Sequence, residues 1–481
     1  MKTHISVSQC CLLVMMILLI AFLPETLAQK MAVTTSSDKA LLHYCKGKDM
    51  LQLEKYADAR MQFDSALSID PDFAMACILR AESSDTYDDF FLYSNKGIAL
   101  VDKLPLSEKN FILYVKANHE RNWNKKMEYL TFLLEFYPND PWFHEMAGDH
   151  YFYYLKNYSE ALPFYLKAIE LGGDKSTVYG KLGANYQGMK EYDKAEEAFL
   201  KFIQTYSDEY LPYNEYGKFL LSRGDHDNSV TQFQTALEKD PHITYPYKGI
   251  GDNYILMGEY DKARETYQRL YDTSDNSLDK YLAIEFLAYS WLHQGDAGKA
   301  LVRLNDYERM AIDNNQPVNE IRANFLRGYI LCETGNPDEA QKYITKSMAI
   351  CKEKAVDEEF NKDLQLWVRI MNCNVQLQKG DVITAQKEMA QCEKMKDRDL
   401  DYDQVNWKNQ LCGRMEMQKG NFQQAMSYLL KADQDNPMTM YYKALLYEKM
   451  GQNEMADEMK QKIRQVRNFD LYTATAVNLI K

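Results

Sequence analysis

A repeating pattern of small, aromatic and turn-forming residues constrains the fold of this chain more than any other feature. Three consecutive segments begin at Ser176, Tyr210 and Thr244, about 34 residues apart, and they align without gaps. Each contains two runs in which apolar residues recur every three to four positions, separated by a short turn. This spacing is typical of amphipathic helices. Each segment therefore predicts a helical hairpin.

Most of the predicted hairpins carry one small residue at a fixed position in each helix. Where two helices cross closely, a longer side chain would hold them apart, and overpacking such a contact costs about 1–3 kcal/mol. The first-helix position is occupied by Gly47, Gly148, Gly183, Gly217, Gly251, Ala288, Gly328, Cys373, Gly413 and Ala444. The second-helix position is occupied by Ala59, Ala161, Ala195, Ser229, Ala263, Ala300, Ala340, Ala385, Ala425 and Ala456.

Glycines mark the turn between the two helices in seven consecutive predicted hairpins. Each lies seven residues after the small first-helix position, where a left-handed residue commonly ends a helix. These glycines are Gly224, Gly258, Gly295, Gly335, Gly380, Gly420 and Gly451. Prolines, which cannot continue a helix interior, are expected to stop second helices at Pro71, Pro105, Pro138, Pro241 and Pro437.

This pattern resembles that of the tetratricopeptide-repeat family, in which a Leu-Gly-like pair is followed by Tyr, Ala, Phe and Pro. The resemblance implies an all-α, right-handed superhelical solenoid of about twelve hairpins, which would occupy residues 40–463. The best-matching repeats lie at 176–275 and the weakest at 74–140. One extra residue between Gly148 and Ala161 is expected in the internal turn. Longer spacings after residue 272 predict longer loops or longer second helices, and residues 464–481 are expected to cap the last repeat, as solenoids require.

The N-terminus has the three regions of a secretory signal peptide. Lys2 supplies a positive charge, the apolar run CLLVMMILLIAFL follows, and small residues end at Ala28. The apolar run of about 13 residues is shorter than the roughly 20 that a transmembrane helix needs. We therefore expect cleavage after Ala28, a short linker at 29–39, and an exported chain without a membrane span. It resembles the tetratricopeptide-repeat proteins of bacterial cell envelopes, which are periplasmic or secreted.

Charge and motif content argue against several functional classes. The formal charge of −13 would repel a phosphate backbone, so nucleic acid is not an expected partner. His144 and Glu145 begin a pattern like that of a zinc protease, but the next histidine, His150, lies six residues on instead of four. The sequence has no nucleophile motif and no pair of cysteines with CxxC spacing. It therefore predicts a non-catalytic chain that needs no metal or cofactor.

Seven cysteines follow the predicted signal peptide. Cys373 and Cys392 occupy the small positions of the two helices of one hairpin, so a disulfide between them is geometrically conceivable. The favoured interpretation is that cysteine, a small buried apolar residue, fills positions that elsewhere hold Gly or Ala.

The concave groove lined by the first helices is the expected binding surface. Positions two, five, nine and twelve residues into each repeat would face it. They include Asn214, Lys218, Tyr245, Lys248, Asp252, Glu285, Tyr289, Arg322, Phe325 and Tyr329. Aromatic and Arg residues carry much of the energy at protein interfaces, although an ordinary solvated face would look similar.

The predicted function is that of a scaffold or adaptor that binds a protein or peptide in this groove. The alternative is a glycan-binding or outer-membrane complex component. Some family members grip a peptide carboxylate with Lys and Asn, but this chain has Gly180, Ala184 and Glu215 at the corresponding positions. That particular recognition mode is therefore not expected.

Overall fold

The computed structural model describes residues 30–120, 122–172, 177–353, 358–394 and 402–481. In these ranges the chain is all-α, with twelve successive helical hairpins and one further helix at the C-terminus. The predicted signal peptide at residues 1–28 lies outside the described residues. Every described helix is too short or too polar to span a bilayer.

The first six hairpins pair α1 (Asp38–Gln52) with α2 (Tyr56–Ile69), α3 (Ala74–Glu82) with α4 (Tyr87–Ala99), α5 (Leu106–His119) with α6 (Trp123–Phe136), α7 (Pro141–Asp149) with α8 (Tyr158–Gly172), α9 (Val178–Gly188) with α10 (Tyr192–Thr205), and α11 (Leu211–Arg223) with α12 (His226–Lys239). The last six pair α13 (Thr244–Leu256) with α14 (Tyr260–Thr273), α15 (Ser277–Gln294) with α16 (Ala297–Asp313), α17 (Pro317–Glu333) with α18 (Pro337–Glu353), α19 (Glu358–Gln378) with α20 (Val382–Lys394), α21 (Tyr402–Gln418) with α22 (Phe422–Leu429), and α23 (Pro437–Lys449) with α24 (Asn453–Arg464). The final helix is α25 (Leu471–Leu479).

The hairpins stack in order, so the predicted all-α superhelical solenoid is confirmed. In each hairpin the two helices pack against each other, and each second helix also packs on the first helix of the following hairpin. Several first helices contact the next first helix directly, as in α11 with α13 and α17 with α19. Because each hairpin buries its apolar faces on its neighbours, the core runs along the whole stack.

The small first-helix positions lie where an aromatic ring of the second helix approaches the backbone. A Cβ atom added at Gly251 would lie 2.2 Å from the ring of Tyr267, and one added at Gly148 would lie 2.5 Å from the ring of Tyr165. Neither distance is compatible with van der Waals contact. The steric reason proposed for the small residues is therefore the one seen in the structure.

The seven turn glycines adopt left-handed backbone conformations, with φ between +72° and +105°. In three other hairpins a larger residue occupies the same turn position in the same conformation. These residues are Glu54 in hairpin 1, Lys156 in hairpin 4 and Lys190 in hairpin 5, with φ values of 56°, 50° and 63°. A side chain in this region is strained relative to glycine.

In hairpins 8 and 9 the longer spacings are taken up by longer helices and not by longer loops. We expected longer loops or longer second helices, but only three residues separate Thr273 from Ser277 and Asp313 from Pro317. The second helices are longer, with 17 residues in α16 and in α18. The first helices are also longer, because α15 and α17 begin at Ser277 and Pro317, four residues before the repeat starts near 281 and 321 that the sequence pattern predicts. Additional helical turns bury more apolar surface than a loop would, which explains the difference.

The extra residue of hairpin 4 is accommodated in a helix and not in a loop. After α7, residues His150–Tyr154 form a π-helical turn. Such turns absorb one inserted residue and often occur at functional sites.

Both ends of the described chain pack on distant hairpins. The segment before α1 runs along hairpins 1 to 4, where Thr34 N donates to Glu108 Oε2 at 2.9 Å and Met31 N donates to Asp140 Oδ2 at 3.2 Å. At the other end, α25 packs on α15, α17 and α23. The C-terminal segment thus covers first helices of several hairpins, in addition to the last repeat that it was expected to cap.

Buried residues in α25 and just before it explain why this helix stays packed on α15, α17 and α23. Phe469, Ala474 and Ala476 are buried, and Asp470 begins the helix by accepting from Thr473 N at 2.8 Å. Lys481 Nζ donates to the His293 carbonyl oxygen at 2.5 Å. The segment is therefore an integral part of the core of hairpins 7 to 12.

Replacement of Gly251 by Ala tests the close helix crossing. We expect Gly251→Ala to destabilise hairpin 7 by about 1–3 kcal/mol, because the new methyl group collides with Tyr267. Thermal melting together with hydrogen exchange of hairpin 7 measures the effect. Gly298→Ala is the matched control, since an added Cβ there meets only the Asp296 carboxylate at 3.5 Å. Equal melting of the two variants would contradict the packing argument.

Replacement of Phe469 by Ala tests the role of the C-terminal segment. Removal of this fully buried ring is expected to destabilise hairpins 7 to 12 by about 3–5 kcal/mol. Hydrogen exchange should increase in α15, α17 and α23 while hairpins 1 to 4 stay protected. Arg467→Ala, at an exposed position of the same segment, serves as the control. If protection of α15 is unchanged in Phe469→Ala, the segment is not part of the core.

Candidate functional site

The ten residues predicted to line the groove fall into two groups. The buried group consists of Asn214, Asp252, Glu285, Tyr289 and Tyr329, and each is at most 6% exposed. The more accessible group consists of Lys218, Tyr245, Lys248, Arg322 and Phe325. Half of the predicted surface is thus enclosed by the fold itself.

The buried group is held by internal contacts. Tyr267 Oη donates to Asp252 Oδ1 at 2.9 Å, and Lys248 pairs with the other oxygen of this carboxylate. Burial raises the pKa of Asp252 above its ordinary value. Glu285 pairs with Arg322, whose Nη2 lies 2.8 Å from Oε2, and also accepts from Tyr289 Oη at 2.9 Å. These polar groups are already paired within the solenoid.

The C-terminal segment covers the same region. Lys248 Nζ donates to the Phe469 carbonyl oxygen at 3.2 Å. The ring of Tyr472 lies 5.8 Å from the ring of Tyr329 and 6.0 Å from the ring of Trp407. The chain's own residues therefore fill the part of the groove that begins at hairpin 7.

An accessible surface remains where the first hairpin meets the middle of the solenoid. Lys55 Nζ lies 2.5 Å from a Glu209 carboxylate oxygen, and Tyr210 Oη donates to the Glu54 carbonyl oxygen at 3.3 Å. These contacts join residues about 156 positions apart in the sequence. The superhelix therefore brings the turn of hairpin 1 against the start of hairpin 6.

Three partly exposed tyrosines are within electrostatic range of Glu54, which lies at this junction. Tyr56 begins α2, Tyr153 lies in the π-helical turn, and Tyr245 is the second residue of α13. Their side chains are 43%, 51% and 45% exposed. Together with Glu54 and Lys218 they form what we call the tyrosine surface. Only Lys218 and Tyr245 of this set were predicted from the sequence.

The hydroxyl and carboxyl groups of the tyrosine surface influence one another. Partial burial, followed by the negative charge of Glu54, raises the pKa of Tyr56 and of Tyr245. Burial raises the pKa of Tyr153 to about 12, with smaller effects from Lys181, Asp149 and Glu54. All three tyrosines are therefore neutral at physiological pH and can donate hydrogen bonds.

Glu54 differs from the other charged groups of this region. Lys181 Nζ lies 2.7 Å from both Glu145 and Asp149, and Lys218 Nζ lies 2.6 Å from Glu215. The Glu54 carboxylate makes no hydrogen bond or ion pair with a described residue. Burial, and then the negative charge of Glu215, raises its pKa.

A buried lysine fixes the π-helical turn that presents Tyr153. Lys126 is 1% exposed, and its Nζ donates to Asn118 Oδ1 at 2.8 Å. The same Nζ lies 3.7 Å from the centre of the Tyr154 ring and 5.5 Å from the centre of the Trp123 ring. Burial lowers the pKa of Lys126 to about 7. These contacts stabilise the orientation of the turn.

The sequence did not predict Glu54, Tyr56 and Tyr153, because they lie outside the first-helix positions that were assigned to the groove. One signal for Glu54 was available. Alignment of the hairpins places it at the turn position that holds glycine in seven others. The local sequence pattern contains no signal for the contact between hairpin 1 and hairpin 6.

The two cysteines that were considered for a disulfide are buried thiols in the structure. Cys373 Sγ donates to the Ala385 carbonyl oxygen at 3.4 Å, where the two helices of hairpin 10 cross. Burial raises the pKa of Cys373 and of Cys392 to about 12, which makes both thiols unreactive. This arrangement agrees with the interpretation of Cys373 and Cys392 as small packing residues.

Comparison with known families locates two matches in the chain. Residues 176–208 and 249–277 each match a tetratricopeptide-repeat model. These matches support a tetratricopeptide-repeat family. Residues 176–208 lie within the range 176–275 that was predicted to resemble the family best, and residues 249–277 extend two residues beyond it. No curated protein sequence matches the chain.

Several solved structures are similar in fold at low identity. The crystal structure of yeast Tom70 is 14% identical, with a TM-score of 0.46, over 88% of this chain and 96% of the Tom70 chain. A crystal structure of MamA is 19% identical, with a TM-score of 0.27, over 35% of this chain and 94% of the MamA chain. The fold assignment rests on the helical hairpins themselves.

Replacement of Lys126 tests its effect on stability. The unfolded state, in which the lysine pKa is about 10.4, binds more protons than the folded state between about pH 7 and pH 10. Unfolding free energy should therefore rise with pH in this window. Lys126→Met should remove this rise and stabilise the chain at pH 6 by on the order of 1 kcal/mol, because burial of the charge is avoided.

The control for this prediction is Lys125→Met, which alters an exposed neighbour on the same helix. Denaturant unfolding at several pH values measures both variants. If Lys126→Met destabilises the chain at pH 6, the contacts of the ammonium group outweigh the cost of burying it.

Proposed function

We propose that this chain is a protein-binding scaffold whose contact site is the tyrosine surface. The observation that carries the proposal is that three partly exposed tyrosines, from hairpins 1, 4 and 7, all lie within electrostatic range of Glu54. Tyrosine supplies a large, rigid contact area together with a hydrogen-bonding group, and it is enriched among residues that dominate binding energy. Tetratricopeptide repeats are generally interaction modules without catalytic activity, which supports the same conclusion.

The geometry favours this surface over the groove of hairpins 7 to 12. In that region Tyr289 and Tyr329 are buried, and the C-terminal segment packs over the first helices. A partner would have to displace Phe469 and the apolar residues of α25 to reach them. Removal of so much buried apolar surface is costly. The tyrosine surface requires no such rearrangement.

We also propose that the scaffold is exported and works in the periplasm or outside the cell. The positive charge at Lys2, the apolar run and the small residues ending at Ala28 support this assignment. N-terminal sequencing of the chain expressed in bacteria tests it. A secreted or periplasmic product that begins at Gln29 is the expected result, and an uncleaved cytoplasmic product would contradict it.

Site-specific photocrosslinking tests the binding site. A photoreactive phenylalanine analogue at position 245 should give one discrete crosslinked product with a protein from the host in which the chain functions. The same analogue at Leu200, an exposed position on α10 with similar accessibility, is the matched control. Identification of the product by mass spectrometry separates a protein from a glycan. Equal labelling from both positions, or a glycan product alone, would contradict the proposal.

Binding should also depend on the tyrosine rings. The double variant Tyr56→Ala and Tyr153→Ala should lose the crosslink from position 245 while it retains the wild-type melting temperature, because both side chains are substantially exposed. Retention of the crosslink would place the contact elsewhere on the solenoid.

A further inference from the structure

The segment that precedes α1 lies on the fold as an extended strap. We call residues 30–37 the N-terminal strap. Exposure alternates along it, as in an extended chain whose successive side chains point to opposite sides. The half-buried residues are Met31, Val33, Thr35 and Ser37, and the exposed residues between them are Ala32, Thr34 and Ser36. Met31 and Val33 pack against the apolar core of hairpins 1 to 4.

Three carboxylates face the strap, and each lies at the start of a different hairpin. Asp70 lies between α2 and α3, Glu108 is in the first turn of α5, and Asp140 is the N-terminal cap of α7. These residues are 8%, 1% and 4% exposed, respectively. A buried carboxylate is costly unless hydrogen bonds compensate for the lost water. The strap supplies such bonds to all three.

The first part of the strap binds the carboxylates of hairpins 4 and 3. Met31 N donates to Asp140 Oδ2 at 3.2 Å. Thr34 donates to both oxygens of Glu108, from its N to Oε2 at 2.9 Å and from its Oγ1 to Oε1. Main-chain and hydroxyl donors therefore act together on the most deeply buried of the three carboxylates.

The last part of the strap binds the carboxylate of hairpin 2. Asp70 Oδ2 accepts from Thr35 Oγ1 at 2.6 Å and from Ser36 N at 2.7 Å. The strap thus runs from hairpin 4 to hairpin 2, opposite to the order of the hairpins, and each of these hairpins contributes one carboxylate.

The lysines near this site leave the three carboxylates to the strap. Lys48 is within electrostatic range of Asp140, Glu145 and Lys30, but its Nζ lies 3.5 Å from the centre of the Trp142 ring. In the part of the chain that the structure describes, no lysine or arginine forms an ion pair with any of the three carboxylates. Hydrogen-bond donors of an extended chain complete the site.

The strap is less firmly anchored than the segment at the other end of the chain. Every strap residue is half-buried or exposed, whereas Phe469 and Ala474 of the C-terminal segment are buried. Detachment of the strap therefore removes little apolar surface from the core, and the three carboxylates regain water. A chain end held in this way opens locally while the hairpins stay folded.

We propose that the N-terminal strap is an intramolecular competitor, which occupies a site for an extended segment of a partner protein. The partner segment replaces the strap on the same three carboxylates with main-chain N–H groups and Ser or Thr hydroxyl groups. Its alternate apolar side chains take the places of Met31 and Val33. This contact lies on hairpins 2 to 4, so it goes beyond the proposed function and adds a second, regulated site.

The chemistry of the carboxylates favours an extended segment over other occupants. An α-helix uses most of its N–H groups for its own hydrogen bonds and cannot offer them along its length. An acidic ligand would be repelled by three negative charges. The strap itself shows the pattern that fits, which is two apolar residues separated by one residue and followed by residues with hydroxyl groups.

The tether of the strap sets the strength of the competition. A segment on a short tether behaves as if it were present at about millimolar concentration. A free segment that makes the same contacts therefore binds weakly until the strap is weakened, or until the partner adds contacts of its own. The strap thus keeps the site closed to peptides that bind without specificity.

Hydrogen exchange of the wild-type chain tests whether the strap opens by itself. Amides of residues 30–37 should exchange at least tenfold faster than amides of α5, which carries Glu108, because only the strap must detach. Equal protection of the strap and of α5 would show that the strap opens only when the hairpins unfold, and it would overturn the inference. This measurement requires no variant.

Substitution of Thr34 by Pro weakens the strap and leaves the carboxylates unchanged. Proline has neither an N–H nor a hydroxyl group, so Thr34→Pro removes both bonds to Glu108 while it still suits an extended chain. The matched control is Ala32→Pro, at an exposed strap position whose N–H donates to no described residue. The melting temperature of each variant verifies that the hairpins remain folded.

The probe is a fluorescein-labelled peptide with the sequence of residues 30–37, and fluorescence anisotropy with the full chain measures its binding. Thr34→Pro should bind the peptide at least tenfold more tightly than the wild-type chain and Ala32→Pro do. Addition of Glu108→Gln to the Thr34→Pro chain should weaken binding at least tenfold, because an amide offers one uncharged acceptor in place of two charged ones. Equal affinity of the three chains, or unchanged affinity after Glu108→Gln, would overturn the inference.

Sedimentation of the wild-type chain distinguishes a partner segment from a second copy of the chain. A monomer at the concentrations of the peptide experiment supports a partner protein as the occupant. A dimer that the peptide dissociates would show that two copies exchange their straps, and it would contradict the proposed occupant.

Discussion

The close crossing of the two helices within each hairpin is the constraint on which the rest of the structure depends. At Gly148 and Gly251 a tyrosine ring of the second helix lies against the first-helix backbone, with no room for a Cβ atom. This contact sets the distance and the angle between the two helices. Since each hairpin packs on the next in nearly the same way, a small geometric preference is repeated twelve times and produces a superhelix. The long-range contacts follow from that curvature.

The curvature has opposite consequences for the two halves of the inner surface. In hairpins 7 to 12 the chain's own C-terminal segment fills the space, and Phe469 and α25 become part of the core. In the N-terminal half, hairpin 1 returns to contact hairpin 6 through Lys55 and Glu209. This junction leaves Tyr56, Tyr153 and Tyr245 accessible. One half of the solenoid is thus sealed by internal packing, and the other presents a surface that a partner can reach.

The charged residues of the two halves also differ in how many contacts they make within the fold. Asp252, Glu285 and Lys126 are enclosed and have hydrogen bonds or ionic contacts within the fold, which limits the cost of burying them. Glu54 is less enclosed, is strained in its backbone and lacks an ionic partner among the described residues. A group that the fold does not satisfy is a reasonable place to expect an external contact. This difference, more than the number of charged residues, distinguishes the tyrosine surface from the groove of hairpins 7 to 12, which the C-terminal segment covers.

The sequence by itself determined the hairpins, because their causes are local. Apolar spacing defines the helices, small residues such as Gly251 permit the crossing, and left-handed glycines such as Gly258 end the first helices. It also indicated Lys218 and Tyr245. Only the tertiary structure decided that Tyr289 and Tyr329 are buried, that α25 covers several hairpins, and that the turn of hairpin 1 lies against the start of hairpin 6. These outcomes depend on the summed rotation of many hairpins. The distance between one turn of the superhelix and the next cannot be predicted from a local sequence pattern.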